Sequence, residues 1–199
     1  MIEFWEEAFK SKQEMWGLQP TTTAISLSAE FAKMEFQKIL IPGIGYGRNA
    51  EPFLSKGMEV TGIEISEKAI ELAMKHYGES IEIYHGSVAD MPFDNKKYDA
   101  VFSHALIHLL DENQRNNFIQ ACYNQLVDGG YMFFTAITKE AKTYGQGRLI
   151  SIDRYEQFGG VNMFFYDEKS IQDEFGEYGL VQIETIMENY PFYVIKCKK

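Results

Sequence analysis

The sequence predicts an α/β protein in which helices cover both faces of a mostly parallel sheet that ends in an antiparallel hairpin. Two observations support this fold class. Short apolar runs alternate with helical patterns along the chain, which is typical of a parallel sheet wrapped by helices. Near the C-terminus, two extended runs are joined by too few residues for a helical crossover, so the last strand is expected to run antiparallel.

The predicted elements follow one another from the first strand to the closing hairpin. Apolar runs predict strands at residues 37–41, 58–64, 81–85, 98–103 and 131–137. Helical spacing predicts helices at 66–77 with Ser66 as the N-cap, at 112–127 before the turn DGG, and near 167–177. The closing runs are LVQIETIMEN and PFYVIKCKK, joined only by Asn189, Tyr190 and Pro191.

The composition is that of an ordinary globular protein, since 45% of the 199 residues are hydrophobic and 24% are charged. We expect a single domain over residues 1–199. The formal net charge of −10 disfavours a nucleic-acid partner, because an acidic surface repels phosphates. Cys122 and Cys197 lack metal-ligand spacing and are expected to be reduced. The acidic, aromatic N-terminus and the lack of an apolar run of about 18 residues predict a cytoplasmic chain without a membrane span.

A glycine-rich turn follows the first predicted strand. Gly43, Gly45 and Gly47 leave bare backbone at the sheet edge, where side chains would obstruct a ligand. Glu64 ends the second predicted strand, which lies beside this turn in such a sheet, so its carboxylate is placed to accept hydrogen bonds from both hydroxyls of a ribose. The dinucleotide fingerprint would need glycine or alanine at position 48, where the chain has Arg48, so a diphosphate cofactor is disfavoured.

The segment HGSVADMPF after the third predicted strand supplies a further candidate element. Asp90 is placed to accept a hydrogen bond from the exocyclic amine of a base, with Met91 and Phe93 beside the flat ring. The alternative is that Asp90 caps its own turn.

Five segments in this order resemble the sequential motifs of the class I S-adenosylmethionine-dependent methyltransferases: LIPGIGYGRN, VTGIEIS, GSVADMPF, YDAVFSHALIHLL and LVDGGYMFFTAI. The resemblance covers roughly residues 37–138, the predicted cofactor-binding core. It implies S-adenosylmethionine as cofactor and a Rossmann-like three-layer sandwich with a seven-stranded, mostly parallel sheet whose last strand is antiparallel. FWEEAFKSKQEMWG and PGIGYGRNAEPFLSKGMEVTG are similar to the small-molecule branch that contains thiopurine and tellurite-resistance methyltransferases.

One position departs from the family pattern. Many members carry an acidic residue two positions before the first glycine, where this chain has Ile41. The thiopurine-like branch tolerates an apolar residue there, so Ile41 points to that branch. Ile65, Ser103 and Trp16 complete the predicted cofactor-binding set.

The segment FSHALIHLL follows the fourth predicted strand and contains the candidate catalytic residues His104 and His108. The resemblance implies that the transferred methyl group points toward this edge, where a histidine could remove a proton from a hydroxyl or amine. The alternatives are that His108 packs in its helix and that His104 only shapes the pocket. A soft nucleophile such as a thiol, selenium or tellurium species would need no base. No metal site is predicted.

Substrate choice is expected to lie outside the shared core. Residues 1–36 are predicted to form a helical lid, and residues 167–199 a closing helix and hairpin. The insertion 139–166 is too long for a plain connection and supplies the candidate substrate residues Tyr144, Arg148 and Arg154. The alternatives are a helix packed on the sheet for the lid and a solvated loop for the insertion.

The sequence therefore predicts an S-adenosylmethionine-dependent methyltransferase that acts on a small molecule, for example a soft nucleophile. One alternative is a protein that binds S-adenosylmethionine or S-adenosylhomocysteine without catalysis. Another is a nicotinamide-dependent reductase, which Arg48 disfavours. The sequence determines neither the methyl acceptor nor the oligomeric state.

Overall fold

The computed structural model describes residues 2–199, and the strands of this part of the chain belong to two sheets. The strands are β1 (Lys38–Pro42), β2 (Glu59–Glu64), β3 (Ile81–His85), β4 (Tyr98–His104), β5 (Leu126–Ile137), β6 (Arg148–Ser151), β7 (Arg154–Gln157), β8 (Val161–Phe164), β9 (Leu180–Met187) and β10 (Pro191–Lys198). The α-helices are α1 (Ile2–Lys12), α2 (Thr22–Lys33), α3 (Glu51–Leu54), α4 (Glu67–Tyr77), α5 (Glu112–Gln125) and α6 (Glu168–Phe175).

The larger sheet confirms the predicted fold class. Its seven strands lie in the order β3-β2-β1-β4-β5-β10-β9. The pairs among β1 to β5 are parallel, whereas β10 runs antiparallel to both β5 and β9. The carboxyl ends of the parallel strands therefore share one edge, and the turn between β9 and β10 lies at that edge too.

Helices cover both faces of this sheet and build a core on each. On one face, Phe118 and Cys122 of α5 and Phe175 of α6 are fully buried against the strands. On the other face, Phe31 of α2 and Phe53 lie in a second buried cluster. Apolar burial of this kind is the main favourable term in folding, and it fixes the strand ends that carry the functional residues.

Capping groups begin the helices where the sequence predicts them. The Ser66 side chain accepts a hydrogen bond from the Ala69 backbone N–H, which confirms Ser66 as the N-cap of α4. Helix α5 begins with a capping box between Asp111 and Gln114. This helix ends at Gln125 rather than at 127, because β5 begins at Leu126 and bulges through the glycine turn before pairing regularly with β4.

The insertion 139–166 is folded rather than a solvated loop. Its strands form an antiparallel sheet in the order β6-β7-β8, which packs against the turn after β4. The aromatic rings of Tyr144, Tyr155 and Phe165 contact one another edge to face beneath it. Within residues 2–199, no helix has both the length and the apolar character needed to cross a membrane.

Candidate functional site

A cleft of about 970 Å³ opens at the carboxyl ends of β1, β2 and β4. The strand order reverses here, because β2 and β4 lie on opposite sides of β1. In open α/β sheets, ligands bind in the crevice at such a reversal. The cleft also has the size of pockets that hold small molecules.

The glycine turn after β1 forms one wall of the cleft. Gly43 and Gly45 line it, and both have positive φ angles, of 70° and 58°. The Gly43 and Ile44 N–H groups donate to the Ile63 carbonyl of β2, which holds the turn against the sheet. Gly47 does not line the cleft; a Cβ there would lie 2.7 Å from the Tyr77 ring, so this glycine permits close packing instead.

Glu64 lies at the bottom of the same wall, at the end of β2. Its Oε2 accepts a hydrogen bond from the Gly45 N–H at 2.8 Å, and its Oε1 accepts from the Ile65 and Ser66 N–H groups at 2.8 and 2.9 Å. Burial raises the pKa of this carboxyl, although the three donors oppose that shift. A carboxylate has about four acceptor positions, so about one remains for a ligand rather than two.

The third predicted element contributes different residues from those expected. Ser87 and Val88 line the cleft, whereas Asp90 is exposed and Met91 borders a separate pocket beside α5. The Ser87 side chain accepts from the Ala89 N–H and starts a short turn, which leaves Asp90 outside the cleft. Asp90 and Met91 therefore lie outside the lining of this cleft.

The N-terminal segment covers the glycine turn. The Trp16 ring stacks on Tyr46, with centroids 6.2 Å apart and planes at 16°. The Tyr46 hydroxyl donates to the Gly17 carbonyl, and the Arg48 guanidinium donates to the carbonyls of Trp16 and Gln19. Trp16 and Arg48 both line the cleft, so this segment forms part of its wall.

The other predicted cofactor-binding residues differ in position. Ile65 lines the cleft beside Glu64. Ser103 is buried below it, with its hydroxyl 3.4 Å from the Pro42 carbonyl, and does not reach the surface of the cleft. Ile41, which replaces the acidic residue of the family pattern, is buried in the core beneath the turn.

His104 ends β4 and lines the cleft opposite the glycine turn. Its Nδ1 lies 3.0 Å from the Thr135 hydroxyl, which also accepts from the Ala105 N–H. Burial lowers the pKa of His104 from 6.5 to about 4, although the charge of Glu188 opposes this shift. The ring is therefore neutral at neutral pH. Ala105 has a φ of 52°, a strained conformation for a residue with a side chain, at the point where the chain leaves β4.

His108 also lines the cleft but is more deeply buried. Its Nδ1 accepts a hydrogen bond from the Ile137 N–H at 3.4 Å, and its ring packs against Phe192. Burial lowers its pKa to about 3. It lies in a short turn after β4 rather than in a long helix, and its geometry fits a packing role better than proton transfer.

The candidate substrate residues of the insertion do not line the cleft. The Tyr144 hydroxyl donates to Asp153 at 2.6 Å, and Arg148 pairs with Glu156 on the surface. Arg154 is the first residue of β7 and is 8% exposed, and burial lowers the pKa of its guanidinium. The insertion instead presents apolar side chains to the cleft, from Phe158, Val161 and Met163.

Sequence reasoning missed Glu188, which lines the cleft from the turn between β9 and β10. The structure places it, because β9 runs in the same direction as β5 and Glu188 directly follows its end, at the same sheet edge as Glu64. Among residues 2–199, no group of three or more histidine, cysteine, aspartate or glutamate side chains is arranged to hold a metal.

Comparison with known proteins gives matches to methyltransferases. A family model described as a methyltransferase domain matches residues 39–130. A ubiquinone biosynthesis O-methyltransferase of Pseudomonas savastanoi pv. phaseolicola is 31% identical over 113 residues, which cover 54% of this chain and 47% of that protein. A probable thiol methyltransferase 2 of Arabidopsis thaliana is 22% identical over 157 residues, which cover 77% of this chain and 70% of that protein.

Solved structures share the fold. The 1,6-didemethyltoxoflavin-N1-methyltransferase of Burkholderia thailandensis, whose structure contains 1,6-didemethyltoxoflavin and S-adenosylhomocysteine, has a TM-score of 0.76 and 14% identity, with 100% of this chain and 86% of that chain covered. The chain spans about half the length of the ubiquinone biosynthesis relatives that it matches. The matched residues 39–130 contain the glycine turn, Glu64 and His104 in the order of the family motifs. Residues 39–130 therefore match a methyltransferase domain, and the whole chain has the fold of solved methyltransferases.

Proposed function

We propose that this chain transfers the methyl group of S-adenosylmethionine to a small molecule. The observation that carries the proposal is one continuous cleft with two unlike walls. One wall is the glycine turn with Glu64, and the other is an apolar surface around His104. A cofactor and a methyl acceptor can therefore lie next to each other at one sheet edge.

The cofactor wall fits an adenosyl group. Gly43 and Gly45 line this wall with partly exposed backbone, and Glu64 retains about one acceptor position for a ribose hydroxyl. Ser87 and Val88 lie where the third strand ends and supply a surface for the base. S-adenosylmethionine would supply an electrophilic methyl group on a positively charged sulfur.

The cationic end of the cleft suits the amino-acid part of the cofactor. Arg48 lines the cleft and carries a charge that attracts a carboxylate. Its guanidinium also holds the Trp16 segment over the glycine turn, so binding of a ligand and closure of this segment are expected to support each other. In this proposal the part of the predicted lid that precedes α2 covers the cleft, whereas α2 itself packs in the core through Phe31.

The acceptor wall favours a small, largely apolar molecule. It is formed by Ile137, Met163, Tyr190 and Phe192 together with the exposed ring of Phe158. The net charge of −10 disfavours a nucleic acid. A thiol is a member of the soft-nucleophile class proposed for the acceptor, and similarity to a probable thiol methyltransferase supports it as the first class to test.

Calorimetry followed by a transfer assay tests the proposal. S-adenosylhomocysteine is expected to bind with micromolar or better affinity, whereas NAD is not. Labelled S-adenosylmethionine is then incubated with panels of small thiols, hydroxyl compounds and amines. Transfer to a member of a panel supports the proposal. No binding of S-adenosylhomocysteine contradicts it, and binding without transfer to any panel favours a non-catalytic role.

A further inference from the structure

Glu188 is held rigidly in the cleft through one of its two carboxylate oxygens. It lies in the turn between β9 and β10, and its side chain is 11% exposed. Its Oε1 accepts hydrogen bonds from the Thr22 hydroxyl at 3.2 Å, the Thr23 N–H at 3.2 Å and the Thr23 hydroxyl at 2.7 Å. These contacts from the start of α2 fix the direction in which the second oxygen points.

The second oxygen, Oε2, lies beside the cleft face of His104. It is 3.6 Å from His104 Nε2, which is beyond the distance of a good hydrogen bond. Among residues 2–199, no donor lies within hydrogen-bonding distance of Oε2. Glu188 therefore keeps acceptor capacity on the side that lines the cleft.

The groups around Glu188 do not neutralise its charge. His104 is neutral at neutral pH, since burial lowers its pKa to about 4, and His108 behind it is also neutral. Thr22 and Thr23 donate hydrogen bonds but carry no charge. The positive charge of Arg48 lowers the pKa of His104, and the Arg48 guanidinium donates hydrogen bonds to carbonyls of the N-terminal segment.

The surroundings of Oε2 would strengthen its interaction with a proton donor. Met187, Tyr190 and Phe192 lie near Glu188 along the hairpin, and all three line the cleft. A ligand against this wall displaces water, and charge-assisted hydrogen bonds are stronger in such a site than in bulk water. A charged oxygen with free acceptor capacity at this position is suited to a ligand that carries a hydrogen-bond donor.

We propose that Glu188 takes up the proton that the substrate's nucleophilic atom loses when it is methylated, and this inference rests on the proposed function. The nucleophilic oxygen, sulfur or nitrogen atom forms a bond to the methyl carbon with its lone pair, while the bond from that carbon to the sulfonium sulfur breaks and its electron pair stays on sulfur. The proton of the nucleophile passes to Glu188 Oε2, and the bonding electrons remain on the nucleophile. Thr22, Thr23 and His104 are positioning residues for this carboxylate.

Glu188 favours one class of methyl acceptor. The acceptor is an uncharged, largely apolar molecule whose nucleophile carries a proton, such as a hydroxyl compound, a thiol or an amine. An anionic acceptor would meet the like charge of Glu188 within the same wall.

The substitution Glu188→Gln distinguishes a role of Glu188 in proton transfer from a role in holding the structure. Glutamine has nearly the same shape, and its carbonyl oxygen can accept from Thr22 and Thr23, but it cannot accept a proton at neutral pH. The probes are phenol and thiophenol, which have nearly the same shape. In mildly alkaline solution phenol is protonated, whereas thiophenol is already ionised. The matched control is Glu184→Gln, which removes the same charge from an exposed position of β9.

The variant is expected to lose methylation of phenol by about 10²-fold or more, the usual contribution of a positioned base. Methylation of thiophenol should not fall, because that probe is an anion that needs no base and no longer meets the like charge of Glu188. Binding of S-adenosylhomocysteine and the unfolding midpoint should match those of Glu184→Gln. In the protein without ligands, NMR titration should show a further fall in the pKa of His104, because the Glu188 charge raises it.

Three outcomes would overturn the inference. The first is an equal loss for both probes, which would make Glu188 a structural residue, and the second is no loss for phenol. The third is a wild-type chain that binds S-adenosylhomocysteine yet methylates neither probe, which would contradict the acceptor class. Failure of the wild-type chain to bind S-adenosylhomocysteine would contradict the proposed function instead.

Discussion

Replacing Glu64 by alanine tests the loop and the cofactor wall with one substitution. Glu64→Ala removes the acceptor of three backbone N–H groups, on Gly45, Ile65 and Ser66. The carboxylate they contact is 6% exposed, so water can replace it only in part. The glycine turn is therefore expected to lose its connection to the end of β2.

The size of the effect follows from the number of donors. A buried donor left without an acceptor costs about 1 to 3 kcal/mol. Burial raises the pKa of Glu64, so removing its charge also relieves a desolvation cost and places the loss at the lower end of that range. Three donors then lower the free energy of unfolding by about 3 kcal/mol, which for a chain of this length lowers the melting temperature by about 6 to 12 °C.

The same substitution is expected to weaken cofactor binding. A hydrogen bond from a ribose hydroxyl to a carboxylate contributes about 1.5 to 3 kcal/mol, so its loss lowers the affinity for S-adenosylhomocysteine by about tenfold or more. Calorimetry measures the affinity and thermal unfolding measures the stability. The control is Glu59→Ala, which changes the exposed first residue of the same strand. If Glu64→Ala matched this control in both measurements, the reasoning about Glu64 would be refuted.

Three other substitutions give further predictions. Glu174→Gln leaves the buried Arg115 without its charged partner and should lower the unfolding free energy in urea by about 3 kcal/mol or more; a loss under about 1 kcal/mol contradicts this. Because burial lowers the pKa of His108 from 6.5 to about 3, stability is lost as the pH falls through this range, by up to about 1.4 kcal/mol per pH unit. His108→Asn should flatten urea unfolding measured against pH, and an unchanged slope would contradict it. Gly43→Ala and Gly57→Ala both strain a positive φ, but only at Gly43 does the new Cβ meet a neighbour within 4 Å in the cleft wall. Gly43→Ala alone should weaken S-adenosylhomocysteine binding in calorimetry, and equal affinities would contradict this.

The sheet could be predicted from the sequence because each strand carries its own signal. The apolar runs of β1, β2 and β4 are buried on both faces and stand out against helical spacing. The antiparallel course of β10 followed from the short connection before it. Glu64 could be placed because the end of a strand is fixed once the strand itself is located.

The position of a side chain within a turn could not be predicted in the same way. Asp90 and Ser87 are three residues apart in a short turn that begins with the hydrogen bond from Ala89 to Ser87, and Ser87 rather than Asp90 lines the cleft. In the insertion, Arg148 and Arg154 were expected at a ligand, but Arg148 pairs with Glu156 across the small sheet. Such choices depend on contacts that are distant in sequence or on local turn geometry, and no periodicity reports them.

The role of Glu188 in the cleft could not be predicted from the sequence either. Its sequence context, a single acidic residue in a turn, is common and carries no motif. Its position becomes informative only when α2, β4 and the hairpin meet, because Thr23 fixes one oxygen and His104 faces the other.

A crystal structure of the protein with S-adenosylhomocysteine tests the central claim most directly. We expect a ribose hydroxyl within hydrogen-bonding distance of Glu64, the base against Ser87 and Val88, and the thioether sulfur facing His104 and Glu188. A ligand bound outside this cleft, or bound in it with the ribose away from Glu64, would contradict the account.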